Sequence, residues 1–434
     1  MVLVTSSSYA AVKAGSACSK AGLKSVSGGK TYTCAKSGKK LAWDNGISIP
    51  VVKSSPSASP SPSVIEVVDP TTSAKSVFSD SAKCQLKSRL VREANLGYGI
   101  DPTYVKSTGS INLAIIYTTY TDAPGDDRAF NEYGKVQFPN VASFFATASY
   151  GKLKVNLVTN EKYYNINKSS ESYNLVALNQ TSNFAGVVAD AVAAAKNDYD
   201  FSKIDSILVV MPSTSKAIDL GATGVFIQAG GNTINQGITA AYINPSDKTP
   251  VRPRFLVHEF GHNLGLGHPL AHDINFAWDV MNWEESPAAD VFGWEKYILS
   301  WISASQVDCL SAIPDTPVTD YLESLGINSS NTKMLAIKLS ESQLLVLESR
   351  RKGQLDELTS SEEGVLVYRV DVNLKSNDGA IKVISNGSPV HVSANGNRLV
   401  VGTIQQGESL TSNGVKITVL KQGASGDFVS VSKG

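Results

Sequence analysis

No stretch of the 434-residue chain stays apolar for the roughly eighteen residues that a membrane-spanning helix needs. The nearest approach, Phe184 to Ala195, is too short and is interrupted by Asp190, so no transmembrane segment is expected. Net charge is also lacking, since 39 Lys and Arg balance 39 Asp and Glu. With no global field and no dense Lys/Arg run among aromatics, nucleic acid is not an expected partner. The four cysteines form no CxxC pair, which argues against a thiolate zinc site or a redox motif. No internal repeat is visible, and no GGxGxD calcium repeat in particular. Histidine is scarce, with five in the chain, so any clustering of it carries weight.

The chain is long enough for two or three domains and a large core. Its 42% hydrophobic content is ordinary for a globular protein, and 18% charged is somewhat low. An even cysteine count, a Ser/Thr-rich composition and a Ser-Pro linker fit an exported protein with two disulfides. The expected pairs are Cys18 with Cys34 and Cys84 with Cys309, and the alternative is four reduced thiols. Residues 1–11 combine a brief apolar start with small residues, like the end of a signal peptide, but carry no basic n-region. A secreted or cell-surface location is expected, with the export signal not clearly visible.

Four segments follow from composition. Residues 1–46 hold a small Gly/Lys-rich module, in which Gly28, Gly29 and Gly38 mark turns between strand-like runs Thr31 to Ala35 and Leu41 to Trp43. A unit this small needs a staple, which Cys18–Cys34 would supply. Residues 47–83 set Pro50, Pro56, Pro60 and Pro62 among serines and read as an extended linker. Residues 84–305 are mixed α/β, with strands expected at Ile111 to Tyr117, Tyr150 to Val158 and Ile204 to Met211. A helix is expected at Phe184 to Lys196, a glycine-rich stretch runs from Gly221 to Gly231, and Ala240 to Ile243 reads as a short edge strand. Residues 306–434 carry regularly spaced short strands, including Met334 to Leu339, Leu344 to Glu348, Val365 to Val370, Leu399 to Ile404, Val415 to Leu420 and Phe428 to Val431. That spacing predicts an all-β sandwich.

The chemistry is concentrated in residues 258–268, His-Glu-Phe-Gly-His-Asn-Leu-Gly-Leu-Gly-His, which hold three of the five histidines. A helix from about Phe255 puts His258 and His262 one turn apart on one face, where both can reach a single ion. Glu259 lies beside the first ligand, too far round to coordinate easily but placed to hold a water at the metal's open position. Gly265 stands where the chain must leave the helix, because glycine tolerates positive φ. That exit lets His268 supply a third nitrogen. A structural zinc site is usually closed by four ligands, often cysteine; no cysteine lies nearby here, and Glu259 would have no purpose. Met281 follows thirteen residues after His268, within Asp279-Val280-Met281-Asn282. A lone methionine is more often core filler, but its position after the third histidine favours a supporting role.

The extended histidine motif with its downstream methionine resembles the metzincin clan of zinc peptidases. Ile111 to Asp122, Tyr150 to Leu153, Phe292 to Ile302, Leu345 to Arg350 and Gly364 to Asp371 narrow the resemblance to the immune-inhibitor-A-like peptidases, with gametolysin-like enzymes as close relatives. It covers roughly residues 84 to 375. Pro269 is similar to the serralysin pattern, but the missing calcium repeats and the downstream strands disfavour that group. Serralysins and astacins carry a tyrosine two residues after the turn methionine, where this chain has Trp283. The N-terminal unit resembles a short Cys-containing module at the front of exported actinobacterial proteins, which implies either envelope contact or an inert spacer.

The resemblance implies an α+β zincin catalytic domain binding one Zn2+ through His258, His262 and His268, with Glu259 as general base and protein or peptide substrates. Two other classes of function remain: an envelope-associated adhesin on a zincin scaffold, and a zinc hydrolase of a cell-wall amide. Among lesser candidates, His272 is expected to be a loop residue near the cleft and His391 a packing or surface histidine. Asp273, Asp279, Glu284, Glu285 and Asp290 could orient ligand imidazoles or hold a structural Ca2+, although solvated loop acids are commoner. An upstream cysteine blocks the metal in some zinc peptidases, but Ala82 to Gln85 lacks that signature, so Cys84 is expected in a disulfide.

Overall fold

The computed structural model describes residues 13–18, 21, 24–27, 30–37, 40–45, 47–48, 77–90, 95–99, 101–125, 129–175, 183–212, 214–215, 225–239, 254–271, 277–385, 390–392 and 398–434. It is a mixed α/β structure with many strands and few helices. The chain divides into two compact units, Met1–Val67 and Val68–Gly434. In the first, β1 (Lys24–Ser27), β2 (Lys30–Ser37) and β3 (Lys40–Trp43) form an antiparallel meander, and β4 (Ile47–Ser48) pairs with β2. Cys18 and Cys34 are joined, and Cys34 is the buried apolar residue among those described in this unit.

The second unit opens with a mixed sheet in the order β6-β5-β7-β9-β8. Its strands are β5 (Gly109–Thr119), β6 (Leu153–Asn165), β7 (Ser206–Val210), β8 (Val225–Ala229) and β9 (Asn232–Thr239). All neighbours are parallel except β8, which runs antiparallel along β9. Alternation along β5 sorts its side chains onto two faces. Ile111, Leu113, Ile115 and Tyr117 face α1 (Phe138–Ala148), whereas Ala114 and Ile116 share a cluster with α2 (Phe184–Ala195). Sequence reasoning did not anticipate α1, although Pro139 in its first turn and buried Val141, Phe144, Phe145 and Ala148 at helical spacing are its signature. The strand expected from Tyr150 instead begins at Leu153, because Tyr150 (φ 56°) and Gly151 (φ 79°) turn the chain out of α1. The glycine-rich stretch holds β8, and the expected edge strand Ala240 to Ile243 lies outside the described residues.

Helices α3 (Phe255–Asn263) and α4 (Gly293–Ile298) follow, and after a short 3-10 turn at Ala304–Gln306 the elements among the described residues are strands. β10 (Val307–Leu310), β12 (Met334–Lys338), β13 (Gln343–Arg350), β14 (Gly364–Asp371) and β15 (Ile381–Val383) form one sheet. β11 (Val318–Glu323), β18 (Ser409–Ser412), β19 (Val415–Gly423) and β20 (Gly426–Lys433) form another, and β16 (Val390–Val392) pairs with β17 (Arg398–Val400). Leu335, Ile337, Leu345 and Leu347 of the first sheet share a buried cluster with Ile417, Val419, Val429 and Val431 of the second. The other face of the first sheet, with Met334, Ala336, Leu344, Val346 and Tyr368, joins the cluster that holds α1, α3 and α4. One core therefore runs across position 305, where strand spacing alone places a domain boundary. Likewise, the last residues of the expected linker belong to this unit: the Ser79 N–H donates to the Cys309 carbonyl at 2.8 Å, and Cys84 is joined to Cys309.

Charge is buried at the junction of the two halves. Arg350, fully buried, donates from Nε and Nη2 to the Asp356 carboxylate at 2.8 and 2.9 Å, and from Nη1 to Glu348 at 2.9 Å. Its Nη2 also donates to the Asp290 carbonyl at 3.0 Å, and its guanidinium lies 4.7 Å from the centre of the buried Trp278 ring. Lys296 pairs with Asp290 at 2.8 Å. Removing one member of such a set leaves the others charged and unpaired in a medium that cannot solvate them. Arg350→Ala is expected to lower the unfolding free energy by about 3–5 kcal/mol in urea titration. A loss below about 1 kcal/mol would mean that these charges are solvated rather than mutually satisfied.

Candidate metal centre

The site is built from helix α3 and the two loops that return to it. Arg254 precedes the helix, and its Nη1 donates to the Ser286 carbonyl at 2.7 Å, fixing the helix start against the downstream loop. At the other end the Val105 N–H donates to the Asn263 carbonyl at 2.9 Å, and Phe260 meets Phe145 of α1 with ring centres 5.3 Å apart. Gly265 leaves the helix at φ +92°, with the Leu266 N–H donating back to the Gly261 carbonyl at 3.2 Å. A Cβ at Gly265 would lie 3.0 Å from the Tyr104 ring, so the position is constrained sterically as well as by its dihedral.

His258, His262 and His268 then converge. Their ligand nitrogens all lie within 4.8 Å of one another, and His258 Nε2 is 3.1 Å from His268 Nε2. Two imidazole nitrogens bound to one tetrahedral ion at about 2.0–2.1 Å would stand about 3.3 Å apart, close to this spacing. The outer nitrogens of the helical pair are committed elsewhere. His258 Nδ1 donates to the Val280 carbonyl at 2.8 Å, and His262 Nδ1 donates to the Leu266 carbonyl at 2.7 Å. Each bond fixes the tautomer that leaves the Nε2 lone pair for a cation. Burial first, and then the neighbouring His258, push the His262 pKa down to about 4, opposed by its bond to the Leu266 carbonyl. The imidazole is therefore neutral around pH 7, the form that binds metal. These three side chains could hold a metal ion, and among the described residues they are the one His/Cys/Asp/Glu group that converges in this way. Glu259 is buried at 8% exposure and follows His258 on the helix.

Beneath the helix, residues 279–283 make a tight turn. Asp279 sits at φ +73°, its carboxylate accepts from the Met281 N–H at 2.6 Å, and its carbonyl accepts from the Asn282 N–H at 3.1 Å. Met281 is fully buried against Gly261, where an added Cβ would run into the methionine sulfur. The glycine inside the histidine motif is thus the space that Met281 fills. Glu295 and Asp279 both approach the Phe292 N–H, at 3.1 and 3.4 Å. Burial, and then the Asp279 charge, raise the Glu295 pKa well above the usual carboxylate range, and burial raises that of Asp279 as well.

The remaining expectations divide. Cys84 is bonded to Cys309 and is not available to block a metal. His391 pairs with Glu362 at 2.9 Å in the strand half, away from the triad's ligand atoms. Asp279 and Asp290 are buried structural acids, and Asp279, Glu284, Glu285 and Asp290 form no metal-holding group among the described residues. His272 and Asp273 lie outside those residues. Sequence reasoning missed Gly261, Glu295 and the carbonyls of Val280 and Leu266. Asp two residues before Met281 was a readable turn signal, whereas a carbonyl's role leaves no trace in residue identity.

No known family model matches this chain, and no curated protein matches it.

Gly261→Ala is expected to lower stability by about 1–3 kcal/mol, because Met281 must move. It should also weaken metal-ion binding by the three histidines, since displacing the turn shifts the Val280 carbonyl that orients His258. Chelator competition and thermal melts would check this, and unchanged metal affinity would detach the turn around Met281 from the site.

Proposed function

We propose that this chain is a secreted zinc-dependent endopeptidase of the metzincin type, acting on extracellular proteins. The observation that carries this reading is the convergence of three imidazoles, with a glutamate next to the first of them on the same helix. Three protein nitrogens, with no fourth protein ligand among the described residues, match the donor set of a catalytic zinc rather than a structural one. When bound, zinc supplies Lewis-acid chemistry, polarising a carbonyl and making water acidic enough to react near neutral pH. His258, His262 and His268 hold it; the Val280 and Leu266 carbonyls orient the two helical imidazoles. Glu259 takes the proton of the attacking water as general base and passes it to the leaving amine. Met281, filling the space over Gly261, sets how closely the turn approaches the helix.

Two disulfides are compatible with an extracellular location, and no helix of the described residues is long and apolar enough to cross a membrane. Between residues 13 and 48, seven lysines stand against one aspartate. Such a charge favours contact between this small unit and an anionic polymer of the cell envelope.

Glu259→Gln should keep zinc and the fold while lowering casein turnover by about 100- to 10,000-fold. Turnover equal to wild type would remove Glu259 from the mechanism. Cleavage of purified cell wall but not of casein would favour the amide-hydrolase reading instead.

A further inference from the structure

The loop between β14 and β15 reaches from the strand half to the third histidine. Its base is fixed where the Asp371 N–H donates to the Ala380 carbonyl at 2.8 Å. The Asp371 carboxylate also accepts from the Asn373 N–H at 3.1 Å and from Gln343 Nε2 at 2.7 Å. Near its far end, Asn377 (φ +70°) and Gly379 (φ +76°) turn the chain back. There the His268 N–H donates to Ser376 Oγ at 2.8 Å, and the Asn377 N–H donates to the His268 carbonyl at 3.0 Å. The Ile381 N–H donates to the Pro269 carbonyl at 2.8 Å, extending the same attachment by one residue.

The three histidines are held in different ways. His258 and His262 lie within α3, and the helix ladder fixes their backbone. His268 lies beyond Gly265, past the end of the helix, so the ladder cannot hold it. Both polar backbone groups of His268 are instead bonded to one loop of the strand half.

We propose that Ser376 is a positioning residue for His268, and that the loop 372–380 is a working part of the metal site. The strand half is then required for metal affinity. This inference rests on the reading of the triad as a metal site.

The test is zinc affinity of the full chain by competition with a chromogenic chelator, alongside thermal melts of the metal-free protein. Wild type, His268→Ala, Ser376→Ala and Ser376→Thr are compared. Ser376→Ala should weaken zinc binding by about tenfold or more, the usual consequence of losing a partner that orients a ligand. Ser376→Thr, which keeps the hydroxyl, should restore affinity to within about threefold of wild type. A purely structural serine would lower the melting temperature of the metal-free protein and leave zinc affinity alone, which overturns the proposal. Equal weakening in the alanine and threonine variants overturns it too, because the hydroxyl would then not be the active feature. If wild type binds zinc no better than His268→Ala, the metal-site reading fails and this inference with it. If those two differ while Ser376→Ala matches wild type, only the positioning role falls.

Discussion

The site depends on one contact, the seating of the turn at residues 279–281 against helix α3. A hydrogen bond and a packing contact make it: the His258 Nδ1–H donates to the Val280 carbonyl at 2.8 Å, and Met281 fills the space that the missing side chain of Gly261 leaves. The first sets which nitrogen of His258 faces the other imidazoles. The second sets how close the turn can come. Neither works alone, since a shifted methionine moves the carbonyl one residue before it.

That contact is maintained from both halves of the large unit. Arg350 of β13 binds Asp356 and the Asp290 carbonyl, and its guanidinium lies against Trp278, next to the start of the turn. Glu348 accepts from the Gly293 N–H at 2.7 Å and so holds the start of α4, while Glu295 of α4 shares the Phe292 N–H with Asp279. The strand half thus supports the turn from one side and, through Ser376, the third histidine from another. Buried ion pairs add little net stability compared with an apolar core, but they tolerate few alternative arrangements. Here they pin the segment on which the turn sits.

Much of the centre is legible in the sequence because its spacing is local. Helical periodicity places His258 and His262 together, Gly265 marks the exit, and the two cysteine pairs form as their number and setting predict. Strands β5 and β7 and helix α2 follow from apolar runs and periodicity. What escapes the sequence is non-local. Ser376 bonds His268 from 108 residues away, and Arg350 meets Asp290 from 60 residues away. A pairing at that separation leaves no period to read. The continuity of the core across position 305 is hidden for a related reason: β12 and β13 bury both faces, so their near-unbroken apolar runs cannot tell which neighbour each face meets. Helix α1 is hard to read because its Phe, Asn, Val, Ser and Thr residues, each with weak helix preference, outnumber its three alanines.

The most direct test of the central claim is casein hydrolysis by the purified full chain before chelation, after chelation, and after zinc is restored. The account predicts activity that disappears with the metal and returns with stoichiometric zinc. Activity that survives complete removal of the metal, or a folded, fully zinc-loaded protein that cleaves no peptide bond, would contradict it.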